Sequence, residues 1–219
     1  MASMKYSYIF FDLDGTLNES GLGIKKGFHY AMEALNNPIE ADEELDFVVG
    51  PPLEYSFRRL GVPEDRIKEA VTTYREYYNS KGWLEGTPYP GIKETLQTLR
   101  ESGLRLAVAT SKPEEISGRI LEHFGMTEYF DFIAGTVPGV EKRSDKGSVI
   151  EYALSRIPGV LPRQVLMVGD RHHDIEGAAV NGLDSLGVLY GYGSAEELKA
   201  AGATYLASKP EDIIPFALQ

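Results

Sequence analysis

The sequence predicts an α/β fold in which a parallel sheet is flanked by helices and a small all-helical module is inserted after the first strand. Short apolar runs recur along the chain, and their continuous rather than alternating apolarity is typical of strands buried on both faces. Helical patterns lie between these runs, as in an open parallel sheet covered on both sides. Residues 12–105 separate the first two predicted strands, and this interval is far longer than one crossover helix requires, with roughly 70 residues, 18–88, in excess.

Strands are predicted where apolar residues run without interruption between turn residues. These segments are 8–11, 106–109, 132–134 and 165–168, with a weaker strand at 185–188. Helices are predicted at 92–101, 113–124, 146–156 and 175–181, and a final helix carries Ile213, Ile214, Phe216 and Leu218. Strand and helix therefore alternate through the second half of the chain.

The long interval predicts an inserted domain at residues 18–88, so that residues 1–17 and 89–219 form the sheet domain. Within the insertion, Phe28, Met32 and Leu35 follow helical spacing, whereas Gly50-Pro51-Pro52 interrupts the pattern. The segment 82–91 is rich in glycine and proline, which is typical of a connection between domains. We expect a small helical cap domain joined to the sheet domain by two hinges.

Composition excludes several classes of function. The formal net charge is −11, which is unfavourable for binding a nucleic acid polymer or an anionic membrane. The chain has no cysteine, so disulfides, thiolate metal sites and cysteine nucleophiles are excluded. No stretch approaches the about 18 apolar residues of a membrane span, and the N-terminus lacks the apolar core of a signal peptide. We expect a cytoplasmic protein.

The strongest chemical signal is the pair of aspartates that directly follows the first strand. In extended backbone, residues two apart point to the same side, which brings the Asp12 and Asp14 carboxylates together. Two neighbouring anions require a cation or a shared proton to offset their repulsion. An Asp-Gly turn before a helix is the structural alternative, and the second aspartate makes that alternative less suitable.

The segment Asp12-Leu13-Asp14-Gly15-Thr16-Leu17 resembles the first signature of the haloacid dehalogenase superfamily phosphatases. Three further motifs of that superfamily follow in order: Thr110-Ser111-Lys112, then Lys146, then Val168-Gly169-Asp170 with Asp174. The second motif also reads as a helix N-cap with Pro113 just inside the helix. Lys142 and Arg143 are the neighbouring alternatives to Lys146. The resemblance spans nearly the whole chain.

The resemblance implies a Rossmann-like core and a magnesium-dependent phosphatase that acts through an aspartyl-phosphate. In this interpretation Asp12 is the nucleophile and Asp14 is the general acid and base. The implied phosphate-binding residues are Thr110, Ser111 and Lys146; the implied Mg²⁺ ligands are Asp12, Asp14 through its backbone carbonyl, and Asp170. Asp174 is expected to contact the ion through water or to support its ligands.

His172 and His173 allow a second interpretation, a transition-metal site. We favour a solvated loop at this position, because adjacent side chains usually diverge and no other histidine is near in the sequence. The ligands predicted above are all oxygen atoms, which favours Mg²⁺ over Zn²⁺.

The expected substrate is a small phosphorylated metabolite, and the nearest resemblance is to phosphoglycolate phosphatase-like enzymes. Alternatives on the same site are 5'-nucleotidase and phosphotyrosine phosphatase activity. A protein that binds a phosphate ligand without turnover is a further alternative, although the retained aspartates and lysine disfavour it. Substrate choice is expected to lie in the inserted domain, where Arg58 or Arg59 would contact a second anionic group or remain solvated.

Overall fold

The computed structural model describes residues 4–40, 45–137, 139 and 143–219. The chain divides into two compact units. One comprises Met1–Asn18 and Pro88–Gln219 and is called the core unit; the other comprises Glu19–Thr87 and is called the helical unit. Among the described residues, no helix combines the length and apolarity that crossing a bilayer would require.

The secondary structure follows the alternation that the sequence predicts. The strands are β1 Tyr8–Phe11, β2 Asn18–Glu19, β3 Thr87–Pro88, β4 Arg105–Pro113, β5 Ile133–Thr136, β6 Val165–Gly169, β7 Asp184–Val188 and β8 Tyr205–Ala207. The helices are α1 Gly21–Ala34, α2 Leu53–Arg59, α3 Ile67–Ser80, α4 Ile92–Glu101, α5 Glu114–His123, α6 Lys146–Ser155, α7 His172–Val180, α8 Ala195–Ala200 and α9 Ile213–Ala217.

Six strands of the core unit form one sheet in the order β5-β4-β1-β6-β7-β8. Neighbouring strands pair in parallel, and β1 lies between β4 and β6, with Phe11 opposite Val108 and Val168. The carboxyl ends of β1, β4 and β6 therefore meet at one edge of the sheet, where open α/β sheets hold their ligands. The predicted parallel sheet with flanking helices is confirmed, and β8 is an edge strand that the sequence pattern did not indicate.

The core of this unit is built from the continuous apolar runs. Tyr8, Phe10 and Met167 project from β1 and β6 into a buried cluster that also contains Val149 and Ile150 of α6. Because the strands carry apolar residues on both faces, the sheet can be covered by helices on both sides without burying unpaired polar groups. This packing fixes where the strands end, and hence where the polar residues that follow them lie.

The helical unit has a separate aromatic core. The Phe28 and Phe57 rings lie 4.6 Å apart between centroids, and the Tyr74 ring lies 5.0 Å from that of Phe28. Helices α1 and α3 approach closely at Gly27, where a Cβ atom would fall 2.7 Å from the Tyr74 ring. At Gly23 a Cβ would fall 1.9 Å from the Gly82 carbonyl oxygen, so a larger residue there requires a backbone shift, whereas one at Gly27 requires the buried Tyr74 ring to move.

Candidate active site

The chain leaves β1 through a tight turn that holds two aspartates at the end of the strand. The Asp12 N–H continues the parallel ladder by donating to the Val168 carbonyl at 2.9 Å. The Leu13 carbonyl then accepts three backbone N–H bonds, which close the turn. Gly15 has a φ of 81°, and a Cβ there would lie 2.2 Å from Asp170 Oδ2, so the position requires glycine.

Lys146 is the buried cation of the cluster. It is the first residue of α6, whose N-terminus is capped by Asp145, and its Nζ lies 2.8 Å from both Asp12 Oδ1 and Asp174 Oδ1. The same Nζ donates to the Ala109 carbonyl at 3.0 Å. Burial alone would lower the pKa of Lys146, but the Asp12 and Asp174 carboxylates hold it above its ordinary value, so the side chain remains an ammonium.

Lys112 forms a second ion pair, which the sequence analysis missed. Its Nζ lies 2.6 Å from Asp14 Oδ2, and only 8% of the lysine side chain and 12% of the aspartate side chain are exposed. Lys112 directly follows the Thr110-Ser111 pair on β4, and that position in the motif is the only signal in the sequence for its role. The two aspartates of the turn therefore each have a lysine partner.

Asp170 follows β6 and is completely buried. Thr16 Oγ1 donates to Asp170 Oδ1 at 3.3 Å, and the Tyr192 N–H donates to Oδ2 at 2.8 Å. Burial, followed by the nearby charges of Asp174 and Asp12, raises the pKa of Asp170 well above its ordinary value. The charged form of Asp170 is thus destabilised, and the nearby positive charge of Arg171 offsets only part of this effect.

A glycine-rich loop after β7 encloses this carboxylate and was not recognised in the sequence. At Gly191 a Cβ would lie 2.3 Å from the Gly15 carbonyl and 2.4 Å from Asp170 Cβ, and at Gly193 it would lie 2.0 Å from the Asp170 carbonyl. The Tyr190 hydroxyl in the same loop donates to the Thr16 carbonyl at 3.0 Å. The alternation of glycine and tyrosine is the signal that could have identified the loop.

Asp174 lies in the first turn of α7 with only 1% of its surface exposed. The Arg171 N–H donates to Asp174 Oδ2 at 3.0 Å, while Oδ1 faces Lys146. A Cβ at Gly169 would lie 2.2 Å from the Asp174 carboxyl carbon, so β6 must end in glycine for the helix to pack this closely. Burial raises the pKa of Asp174 to about 6, despite the opposing effect of Lys146.

Thr110 and Ser111 lie near the end of β4, beside the aspartates that follow β1. Thr110 is 2% exposed, and its Oγ1 accepts the Lys112 N–H at 3.2 Å. The Ser111 carbonyl accepts the Thr136 hydroxyl at 3.0 Å, which anchors β4 to β5. The helix N-cap alternative is wrong, because the strand continues through Pro113 and α5 begins only at Glu114.

Arg143, a sequence alternative to Lys146, is committed elsewhere. Its Nε donates to the Gly135 carbonyl at 2.9 Å, and its guanidinium pairs with Glu114 and lies over the Tyr152 ring. Lys142, the other alternative, lies outside the described residues. Of the described candidates for the third motif, Lys146 is therefore the one that contacts the aspartates.

The two adjacent histidines do not behave as expected. They begin α7 instead of forming a loop, and their ring centroids are 3.8 Å apart. His172 Nδ1 lies 2.8 Å from Glu197 Oε1, and the Arg171 Nε donates to the same oxygen at 2.8 Å. His172 is thus held by a carboxylate, and 34% of its side chain is exposed.

The acidic cluster suits a hard divalent cation. Asp12, Asp170 and Asp174 each offer a carboxylate oxygen within 4.8 Å of the others, and all three side chains are buried. Among the described residues, the Lys146 ammonium is the cation that forms ion pairs with two of these three carboxylates, so part of their negative charge remains to be balanced. Oxygen donors of this kind are the preferred ligands of Mg²⁺. A second potential group, His172, His173 and Glu176, contains nitrogen donors and is more exposed.

In the helical unit, the two candidate arginines have different surroundings. Arg58 donates from Nε and Nη2 to the two carboxylate oxygens of Glu64 at 2.8 and 2.7 Å. The Arg59 guanidinium lies 3.9 Å above the centre of the Phe47 ring. Arg58 is therefore neutralised by its neighbour.

Comparison with known proteins identifies the family. The sequence profile of the haloacid dehalogenase-like hydrolases matches residues 9–188, from β1 through β7, and includes each aspartate and lysine of the cluster. The chain belongs to this family. The family membership predicted from the four ordered motifs is therefore confirmed. Among solved structures, that of a predicted phosphatase from Clostridium acetobutylicum is 40% identical in sequence to this chain, superposes with a TM-score of 0.91, and aligns over 98% of both chains.

Curated relatives carry several names. The tyrosine-protein kinase PtkA of Mycobacterium tuberculosis is 39% identical over 196 residues, which cover 90% of this chain and 66% of PtkA. A 5'-nucleotidase of Pseudomonas aeruginosa is 37% identical and covers 93% of this chain and 92% of its own length. A phosphoglycolate phosphatase of Vibrio parahaemolyticus is 29% identical over 223 residues. The chain thus spans just under two thirds of the length of PtkA.

Proposed function

We propose that this protein is a magnesium-dependent phosphatase of small phosphomonoesters, with Asp12 as the nucleophile. The observation that carries the proposal is the Lys146 ammonium, which lies 2.8 Å from both Asp12 and Asp174 at the carboxyl end of β1. A nucleophilic carboxylate must remain charged while it is largely buried, and a fixed neighbouring cation stabilises that state. The same cation would balance the charge of an incoming phosphoryl group.

The two oxygens of Asp12 differ in a way that supports nucleophilic attack. Oδ1 is buried and paired with Lys146, whereas 11% of the whole side chain is exposed. We assign Oδ2 as the attacking atom, because it is not held by the lysine. Attack by Oδ2 on phosphorus would form an aspartyl-phosphate, and Thr110 and Ser111 at the end of β4 would bind the phosphoryl oxygens.

Asp14 is the proposed general acid and base. It gives its proton to the leaving oxygen as the phosphorus–oxygen bond breaks, and the substrate departs as an alcohol. It then takes a proton from the water molecule that attacks the aspartyl-phosphate, which releases inorganic phosphate and restores Asp12. The same side chain therefore acts in both halves of the reaction, and its proton is regained at the end.

The carboxylates of Asp12 and Asp170 and the backbone carbonyl of Asp14 would hold Mg²⁺, with Asp174 supporting the site through water or through Lys146. Bound Mg²⁺ supplies positive charge that neutralises the phosphoryl oxygens during transfer. The uncompensated carboxylates described above support this assignment, as do the raised pKa values of Asp170 and Asp174.

The names of the relatives agree on a phosphoryl group and differ in its source and acceptor. We propose water as the acceptor and a small phosphomonoester, phosphoglycolate in the first instance, as the source. Nucleoside monophosphates and free phosphotyrosine are the alternatives, and the 5'-nucleotidase relative favours the first of them. The name of PtkA suggests a different reaction, in which a protein tyrosine instead of water accepts the phosphoryl group.

Residues Glu19–Thr87 are proposed to be a separate domain, since they contain their own aromatic core. The role of this insertion in substrate choice stays a prediction, as does the cytoplasmic location.

The test is phosphate release from a panel of phosphoglycolate, nucleoside monophosphates, sugar phosphates and phosphotyrosine, with Mg²⁺ and with EDTA. We expect Mg²⁺-dependent release by the wild type and none above background by Asp12→Asn. Asp65→Asn, which changes an exposed aspartate of the helical unit, should match the wild type. Release that is equal in Asp12→Asn and the wild type would contradict the assignment, and phosphate binding without release would indicate a non-catalytic protein.

A further inference from the structure

Lys112 occupies an unusual position for a lysine. Its side chain is only 8% exposed, although an ammonium is costly to bury unless it is paired. Its backbone is fixed as well, because its N–H donates to Thr110 Oγ1 at 3.2 Å. A Cβ at Gly135 would lie 2.7 Å from the Lys112 carbonyl oxygen, so β5 packs tightly against this point. Lys112 is thus a cation held on a rigid strand.

The contact of Lys112 with Asp14 distinguishes the two carboxylate oxygens. Oδ2 lies 2.6 Å from Lys112 Nζ. Oδ1 is buried and has no hydrogen-bond partner among the described residues. A buried carboxylate oxygen without a partner is unfavourable in the resting protein, so Oδ1 is suited to meet a group that the substrate brings. The aspartate is therefore anchored through Oδ2, while Oδ1 keeps its hydrogen-bonding capacity unused in the resting protein.

We propose that Lys112 is the positioning residue for Asp14: it anchors Oδ2, so that Oδ1 is the atom that donates and recovers the proton. The inference rests on the proposed phosphatase function. In the first half-reaction the O–H bond at Oδ1 breaks, the proton goes to the leaving oxygen, and the bond from that oxygen to phosphorus breaks as Asp12 bonds to phosphorus. In the second, Oδ1 accepts a proton from the attacking water.

The Lys112 ammonium also stabilises the carboxylate that remains after the proton has left. This stabilisation is larger once the proton has been transferred than before, so it favours the transition state over the bound substrate. Loss of Lys112 should therefore reduce kcat with little change in KM. The reduction in kcat should depend on the substrate, because only a poor leaving group needs a proton from Asp14.

The experiment compares two phosphoesters in Lys112→Met, Lys112→Arg and Asp14→Asn. p-Nitrophenyl phosphate has a leaving group that departs without a proton, whereas the best-cleaved alkyl phosphate of the panel needs one. For Lys112→Met we expect kcat on the alkyl phosphate to fall about 100-fold and kcat on p-nitrophenyl phosphate to fall less than about 10-fold. Lys112→Arg should recover part of the loss, and Lys112→Met combined with Asp14→Asn should be no slower than Asp14→Asn alone.

Lys209→Met is the matched control, since Lys209 is an exposed lysine of the core unit that pairs with Glu211. It should leave both rates unchanged. Equal losses on the two phosphoesters in a folded Lys112→Met variant, or losses that add in the double variant, would overturn the inference while leaving the phosphatase assignment in place. A wild type that releases phosphate from neither compound would overturn both.

Discussion

Both units bury aromatic side chains, but among the described residues only the core unit also buries charged ones. The helical unit packs the rings of Phe28, Phe57 and Tyr74 against one another, whereas the buried charged side chains of the described chain lie in the core unit: Asp12, Lys146, Asp170 and Asp174. Aromatic packing stabilises a fold directly, but three carboxylates around one ammonium oppose folding. The comparison indicates that the packing of the helical unit contributes to its stability, whereas the charged site of the core unit lowers the stability of that unit.

The largest effect is expected at Lys146. Lys146→Met removes the cation shared by Asp12 and Asp174, so the nucleophile and the phosphoryl group lose their compensating charge. We expect kcat for phosphate release to fall by about 1,000-fold. Lys199→Met, which alters an exposed lysine of α8, is the control and should retain full activity. If Lys146→Met were as active as this control, the charged cluster would have no role in turnover.

The next effect concerns the helical unit alone. Phe57 is completely buried, and Phe57→Ala leaves a cavity beside Phe28, so the free energy of unfolding should fall by about 3–5 kcal/mol. Urea denaturation measures this loss, and hydrogen exchange should locate it in α1, α2 and α3. Exchange that increased equally in the six-stranded sheet would mean that the two units do not differ in the way proposed.

The third effect is the loss of folding stability that the buried Asp174 carboxylate causes in metal-free protein. Burial raises the pKa of Asp174 to about 6, above its ordinary value of 3.8. Its contribution to stability is therefore fully present below about pH 4 and is lost as the pH rises through about 6, a change of about 3 kcal/mol. In EDTA, Asp174→Asn should reduce this fall, as measured by unfolding at pH 4 and pH 7. If the free energy of unfolding of Asp174→Asn depended on pH as that of the wild type does, the charged form of Asp174 would not destabilise the folded protein.

The smallest effect is expected on the surface of the helical unit. Arg58 is exposed and paired with Glu64, so Arg58→Ala should change neither the melting temperature nor the KM for the panel substrates. A KM that increases for substrates with a second anionic group, and only for those, would assign Arg58 to substrate binding after all. Arg59→Ala is the comparison variant, because the Arg59 side chain lies over Phe47 instead of in an ion pair.

Much of the fold could be predicted, because it depends on local patterns of apolar residues. The run at 8–11 became β1 at those bounds, and the pair Asp12 and Asp14 could be placed at its end. The bounds of β4 were less accurate: the strand extends to Pro113, since pairing with β5 continues beyond the apolar run. The spacing of apolar residues in the sequence carries no information about the pairing of β4 with β5.

The part of the site that escaped prediction depends on contacts between distant segments. Lys112 has the same neighbours in sequence whether it is solvated or paired, and only the folded chain brings it to Asp14. Gly191 and Gly193 follow β7, about 20 residues after Asp170, and their need to be glycine arises from the close approach of the loop. The site residues were predicted from the four ordered motifs. Contacts between distant segments could therefore be predicted only for residues to which the family resemblance assigns a role.

The proposed covalent mechanism can be tested by locating the phosphoryl group on the protein during turnover. A substrate labelled in its phosphoryl group would be mixed with enzyme and Mg²⁺, quenched in acid within one turnover, and the labelled peptide identified by mass spectrometry. If Asp12 is the nucleophile, a hydroxylamine-sensitive label will be found on Asp12 and will be absent from Asp12→Asn. Phosphate release without labelled protein, or a label on another residue such as His172 or His173, would contradict it.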